Sequence, residues 1–305
     1  MSARSFFCLG NMTIDDLVFA DGTTKWCVPG GNSIYAALGM AVWGVCPSIM
    51  ARYGPDYPVE VIGANRIDLS LATKGGLTLR NWGLYEEDGS RHFIFRHATR
   101  DWFEFCPRVS DLDEGPYPYC HLAPLPWHLQ SDFVAYLRHR GAQLISVDVD
   151  DRRLAEVDEA ALAAMLGQID FFLPSRQDVA AIYPGISDLD GLRRLRDLDP
   201  KIKVIAIKRG AEGVIVHSAG DSDYLSLPSI ASQVVDATGA GDAFCGGFLA
   251  GYVEIGEAVE AALRGTVSAA FAVAGLGPST LADAEPAEAH ACLAALRSRV
   301  EAYLL

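Results

Sequence analysis

No phosphate-binding fingerprint of the common kinds occurs in this chain. It has no Gly-x-x-x-x-Gly-Lys-Ser/Thr and no Gly-x-Gly-x-x-Gly after a strand-like run, which excludes P-loop and dinucleotide-binding architectures. Cysteine never occurs as Cys-x-x-Cys. The seven residues (Cys8, Cys27, Cys46, Cys106, Cys120, Cys245, Cys292) are scattered and odd in number, a pattern of reduced core thiols rather than a disulfide framework. The seven histidines show no His-x-x-x-His spacing, so a structural zinc site is not indicated. No apolar stretch reaches the roughly 18 residues needed to span a bilayer, and the N-terminus lacks a basic segment followed by a signal-type apolar core. A cytoplasmic location is expected. Basic side chains are outnumbered, 25 Lys and Arg against 39 Asp and Glu, and they do not cluster, which argues against nucleic acid or an anionic membrane as partner.

What is present is a chain of 305 residues, 50% apolar, enough for one substantial domain with a small appendage. With a net charge of −14, a polyanionic ligand has to be held locally, by N–H groups and a metal in a cleft. Ser5 to Leu9 and Asp16 to Ala20 have strand character, and Gly30-Gly31 opens a helix-like stretch through Trp43. Leu77 to Tyr85 and Arg91 to His97 alternate around Glu87-Asp88-Gly89-Ser90, a hairpin signal. Its aromatic residues need cover, either from their own domain or as a lid over a ligand. Strands at 119–122, 143–149, 171–173, 204–207 and 213–217 then alternate with helices at 128–140, 158–167, 176–183 and 188–198. Helices at 242–254, 257–273 and 286–303 complete the chain. This is an α/β pattern with a mainly parallel sheet between helices, and ligands are expected at the carboxyl ends of its strands. A single domain over 1–305 is expected, with one insertion at about 77–105 that 15–28 could join.

The most informative segment is Asp236-Ala237-Thr238-Gly239-Ala240-Gly241-Asp242-Ala243-Phe244, followed by apolar residues at helical spacing. Gly239, Ala240 and Gly241 can turn tightly into a helix whose first N–H groups are unpaired, a natural anion site. A carboxylate there, Asp242, reads either as a base beside the anion hole or, more plainly, as a helix N-cap.

The full string resembles the Asp-Thr-x-Gly-Ala-Gly-Asp signature of the PfkB/ribokinase family of carbohydrate kinases. The resemblance continues in Gly10-Asn11-Met12-Thr13-Ile14-Asp15 and in Pro29-Gly30-Gly31-Asn32-Ser33-Ile34-Tyr35, where the family has a sugar-binding Asp and a Gly-Gly substrate motif. It implies a ribokinase-like fold with a small β lid. It implies Asp242 as base, Gly239, Ala240 and Gly241 as anion hole, and Asp15, Gly30, Gly31 and Asn32 as acceptor site. Tyr35 departs from the family's usual Asn. Ile207-Lys208-Arg209-Gly210-Ala211-Glu212-Gly213 is similar to the strand and turn beside the nucleotide, assigning Lys208, Gly210 and Gly213 to it; a Lys-Arg pair in a turn is otherwise a solvated surface.

Where the family has Asn-x-x-Glu, organising magnesium, this chain reads Ser175-Arg176-Gln177-Asp178, and Asp148-Val149-Asp150-Asp151-Arg152 resembles an Asp-x-Asn-x-Arg segment. Asp178 and Asp150 are the candidate metal residues, with ordinary loop and cap roles as the alternative. Ala270 to Ser279 resembles the region behind the adenine pocket and, in some members, a monovalent cation site. The implied activity is ATP- and Mg2+-dependent phosphorylation of a sugar, polyol or related small molecule by a homodimer. A nucleoside kinase of the same fold and a catalytically silent nucleotide- or sugar-binding regulator are the alternatives.

Overall fold

The computed structural model describes residues 6–62, 66–87, 91–96, 101–150, 154, 157–230 and 233–304. The strands are β1 (Phe6–Leu9), β2 (Thr13–Val18), β3 (Thr24–Gly30), β4 (Ser48–Met50), β5 (Arg52–Tyr53), β6 (Thr73–Lys74), β7 (Leu79–Tyr85), β8 (Arg91–Phe95), β9 (Tyr119–Leu122), β10 (Leu144–Val147), β11 (Phe171–Phe172), β12 (Val204–Lys208), β13 (Val214–Ser218) and β14 (Leu225–Leu227). The α-helices are α1 (Asn32–Ala41), α2 (Trp127–His139), α3 (Glu159–Leu166), α4 (Arg176–Ile182), α5 (Asp188–Leu198), α6 (Ala240–Ile255), α7 (Ala258–Val273), α8 (Ser279–Asp283) and α9 (Pro286–Leu304).

The main sheet runs β14-β13-β12-β11-β10-β9-β1-β4. It is parallel from β12 to β4, and β13 and β14 add antiparallel strands at one edge. Successive side chains point to opposite faces. Cys8, Ile49 and Phe171 therefore join a core with α1, α6, α7 and α9, while Phe7, Leu9 and Phe172 join a second core with α2, α3, α4 and α5. The first core brings backbones unusually close. A Cβ on Gly246 of α6 would stand 1.9 Å from the Ala36 carbonyl oxygen of α1, so only glycine lets these helices meet. Among the described residues, no helix is long and apolar enough to cross a membrane.

A second sheet, β3-β2-β7-β8, stands apart from the first. The hairpin expected at 77–97 supplies β7 and β8, and β2 pairs in parallel with β7. Two differences from the sequence reading concern its other half. The strand expected from Asp16 begins at Thr13, because residues 19–23 form the turn into β3, where Phe19 N donates to Thr23 O (2.9 Å). β3 itself has no alternating apolar signal, since Thr24 to Cys27 are exposed at a sheet edge. The turn at 88–90, the run 97–100 and the segment 151–153 lie outside the described residues.

Candidate active site

From β1 the chain crosses to β4 on one side of the sheet and later resumes at β9 on the other. The strand order reverses between β1 and β9, and a crevice opens at their carboxyl ends. Asn32, the first residue of α1, spans it. Its Oδ1 accepts from Asn11 N (2.7 Å) and its Nδ2 donates to Pro124 O (2.7 Å), so the amide braces the two strand ends against each other. Gly31 precedes it with φ 112°, and a Cβ there would fall 2.2 Å from Asn11 O. Asp15, on β2, faces the same crevice. Its Oδ1 accepts from Asn81 Nδ2 (2.9 Å) and its Oδ2 from Thr13 Oγ1 (3.2 Å). Burial pushes the Asp15 carboxyl up to about 6, against the pull of those two hydrogen bonds. Gly30 leaves room beside it, since a Cβ at that position would lie 2.6 Å from Asp15 Oδ2.

Asp15, Gly31, Asn32 and Asn81 line a cavity of about 930 Å3 that Phe93, Phe95 and Trp102 also border, as do Asp150, Gly239 and Asp242. A second cavity of about 260 Å3 lies beyond, bordered by Lys208, Gly210, Gly213, Ala240, Gly241, Phe244, Ala270 and Val273 among others. The segment from Gly239 to Asp242 is thus a wall shared by the two cavities.

That wall is a helix start. Gly239 is the N-cap of α6, left-handed at φ 76°, and Asp242 sits in the first turn rather than at the cap. The N–H groups of this turn have no acceptor within the helix, and its dipole adds positive potential. Gly239 is pressed on the Tyr35 ring: a Cβ there would be 2.2 Å from ring atoms. The Asp242 carboxyl is pushed up to about 8, first by burial and then by the charges of Asp148 and Asp150, with Lys208 opposing.

Lys208, at the end of β12, donates from Nζ to Asp148 Oδ2 and lies 3.5 Å from Cys245 Sγ. Burial works against its charge, yet Asp148, Cys245 and Asp178 outweigh that and raise its pKa. It is therefore a paired cation at the cavity border, not the solvated surface lysine of the plainer sequence reading. Asp178 is 4% exposed, and its Oδ2 accepts from Ser175 N (2.6 Å) and Ser175 Oγ (2.5 Å), closing a capping box at the start of α4. Burial and then the Asp148 charge push its carboxyl up to about 7. Asp178 borders neither cavity given above, whereas Asp150 borders the larger one. Among the described residues, no group of three or more His, Cys, Asp or Glu forms a metal cage.

Sequence reasoning passed over Asn81, whose amide grips Asp15, and the Asp148–Lys208 pair. Asn81 had a weak signal, because Asn is depleted in strands and stands here within a strand-like run. The ion pair had none, since its members are 60 residues apart.

Residues 133–285 match the family model described as pfkB family carbohydrate kinase. The chain belongs to this family. Two relatives extend the likeness over most of this pfkB kinase. The cytidine kinase of Thermococcus kodakarensis is 28% identical over 251 residues, covering 80% of this chain and 87% of its own. A fructokinase from Escherichia coli is 26% identical over 276 residues, covering 84% and 86%. Among solved structures, the nucleoside kinase of Methanocaldococcus jannaschii, an archaeal member of the ribokinase family, superposes with a TM-score of 0.75 at 17% identity, covering 97% of this kinase and 100% of its own chain. That likeness establishes the ribokinase-like fold of the kinase. Its relatives include both sugar and nucleoside kinases.

Proposed function

We propose that this kinase transfers the γ-phosphoryl group of ATP to a hydroxyl of a sugar, polyol or nucleoside held in the larger cavity. The observation that carries this reading is the shared wall, which puts Ala240 and Gly241 against one cavity and Gly239 and Asp242 against the other. ATP occupies the smaller cavity, with Gly210 and Gly213 at its rim and Lys208 near its phosphates. The N–H groups of Gly239, Ala240 and Gly241 stabilise the transferring phosphoryl. Asp242 takes the acceptor's proton, while Asp15, with Gly30, Gly31 and Asn32, orients the acceptor. Asn32 does so by bracing the crevice, and Asn81 by fixing the Asp15 carboxylate.

Asp150 is an oxygen donor of the kind a hard divalent cation takes when it keeps most of its water. Burial first, and then the charge of Asp148 on both and of Asp150 on Asp242, raise the carboxyls of Asp178 and Asp242, with Lys208 opposing. Asp150 would hold Mg2+ at the border of the larger cavity, with Asp178, engaged by Ser175, set back from it, and the ion would supply charge neutralisation for the nucleotide phosphates. A monovalent cation in the 270–279 region belongs to the same proposal. A nucleoside is the second reading of the acceptor, favoured by Phe93, Phe95 and Trp102, which offer a base aromatic surface in the cavity that Asp15 borders.

The test is ATP-dependent phosphorylation across a panel of sugars, polyols and nucleosides, followed by ADP release. A silent binding protein would turn over none of them. In this assay Asp15→Ala is expected to raise the acceptor KM by roughly 10-fold or more while leaving the ATP KM within about twofold, since Asp15 borders the larger cavity and not the smaller one. Equal shifts for both ligands would remove Asp15 from the acceptor site.

The four-stranded sheet is proposed as a lid that closes on the acceptor and excludes water. Its two edge strands, β3 and β8, expose Trp26 (58%) and Ile94 (50%), apolar surface that a second copy of the chain would cover in a homodimer. Replacing the β7–β8 hairpin by a short Gly-Ser turn should lower acceptor phosphorylation, raise the ratio of ATP hydrolysis to transfer, and weaken the dimer. Unchanged coupling would dispose of the lid, and a monomeric parent in light scattering would dispose of the dimer.

A further inference from the structure

β7 and β8 come together at the loop that leads into α6. Tyr85, the last residue of β7, donates its hydroxyl to Asp236 Oδ2 (3.0 Å) and lies 3.3 Å from Thr238 Oγ1. Arg91, the first residue of β8, donates from its guanidinium to Thr238 Oγ1 (2.7 Å) and reaches Asp236 Oδ1 (3.4 Å). The Asp236 side chain is 3% exposed, and its Oδ1 also accepts from Thr238 N (2.9 Å). Two of the donors on this buried carboxylate therefore come from a hairpin about 150 residues away in the chain, and both act within three residues of Gly239.

We propose that Arg91, assisted by Tyr85, is a positioning residue for phosphoryl transfer: it holds the Gly239–Gly241 turn in shape only while the hairpin is seated over the acceptor cavity. The inference rests on the kinase reading above and adds a physical link between its two halves. A Gly-Ala-Gly turn has no side chain of its own with which to fix its orientation. Gly239 rests against the Tyr35 ring, and Thr238, the residue before it, is gripped by Arg91. Arg91 also borders the acceptor cavity, so the group that holds the turn faces the incoming acceptor. With the hairpin lifted, Asp236 keeps only the Thr238 N–H among the donors named here, and the turn loses its outer support. An acceptor that seats the hairpin then also completes the anion hole, so the transfer geometry is assembled only once the acceptor is in place.

The experiment compares Arg91→Ala, Arg91→Lys and Tyr85→Phe with the parent in steady-state kinetics and in hydrogen exchange of the amides at 236–242. Arg91→Ala should lose roughly 10² in kcat, the scale expected for a displacement of about 1 Å in a transfer site. Its acceptor KM should change less than about threefold, because the loss falls on the transition state. Arg91→Lys, which keeps the charge and loses the fork, should recover part of that loss, and Tyr85→Phe should show a smaller loss. Exchange should quicken at Thr238 to Asp242 in Arg91→Ala, while strands β12 and β13 stay protected.

Unchanged kcat in Arg91→Ala overturns the proposal. So does a loss matched by a general fall in Tm and faster exchange throughout, which marks a purely structural ion pair. If the parent phosphorylates no member of the panel, the kinase reading has failed separately, and exchange at 236–242 alone decides: no change there in Arg91→Ala removes the latch.

Discussion

Asp242→Asn should lower turnover by roughly 10² to 10⁴, the usual worth of a positioned base, while folding and nucleotide binding persist. The substitution keeps the shape of the side chain and removes only its ability to take a proton. It also relieves a cost. The carboxyl is pushed from 3.8 to about 8 by burial and by Asp148 and Asp150, so between those values the native state holds a proton that the unfolded chain has released. Stability therefore falls as pH rises through that window, and the Asn variant should be as stable as the parent or more so at pH 8. In the parent, kcat/KM should climb with pH and level off above about 8, where the carboxylate form prevails. Tm across pH checks the first point and ADP release across pH the second. Turnover near the parent's, or an acid limb that survives in the Asn variant, would take the base role away from Asp242.

The second large effect is expected at Gly239. Alanine there must accept φ 76°, and its Cβ would stand 2.2 Å from the Tyr35 ring. Either the turn moves or the ring does. A move of the turn displaces the N–H groups aimed at the phosphoryl, and a loss of roughly 10² in kcat follows from misplacement on the order of 1 Å. Overpacking should also cost about 1–3 kcal/mol of stability, readable as a lower Tm. Tyr35→Ala separates the two causes. If the clash dominates, the double variant regains stability relative to Gly239→Ala; if the left-handed backbone dominates, it does not. Parent-like kcat in Gly239→Ala would mean that the turn is not set to the tolerance inferred here.

Most of the fold could be read along the chain because its signals are local. Helices α2 to α7 and strands β9 to β13 announce themselves by apolar periodicity within windows of a dozen residues, and the structure places them within one or two residues of expectation. β3 and β4 escaped, one as an exposed edge and the other as a run of three residues. The candidate site divides in the same way. Gly239 to Asp242 and Gly30 to Asn32 are contiguous and could be singled out from spacing and resemblance. Asn81 with Asp15, Lys208 with Asp148, and Arg91 with Asp236 are contacts between residues 60 to 145 positions apart, and no window along the chain contains both partners. Tyr35 was visible as an oddity, but its reason was not, because the ring's partner Gly239 lies at the far end of the chain.

The wall between the cavities has one more implication. Gly239, Ala240 and Gly241 have no side chain able to take up a phosphoryl group, and the one that follows them, Asp242, is proposed as base and not as nucleophile. On those roles the group has no halfway station. It is expected to pass from donor oxygen to acceptor oxygen in a single in-line displacement, so that a chiral phosphorus carried through this site should leave with its configuration inverted.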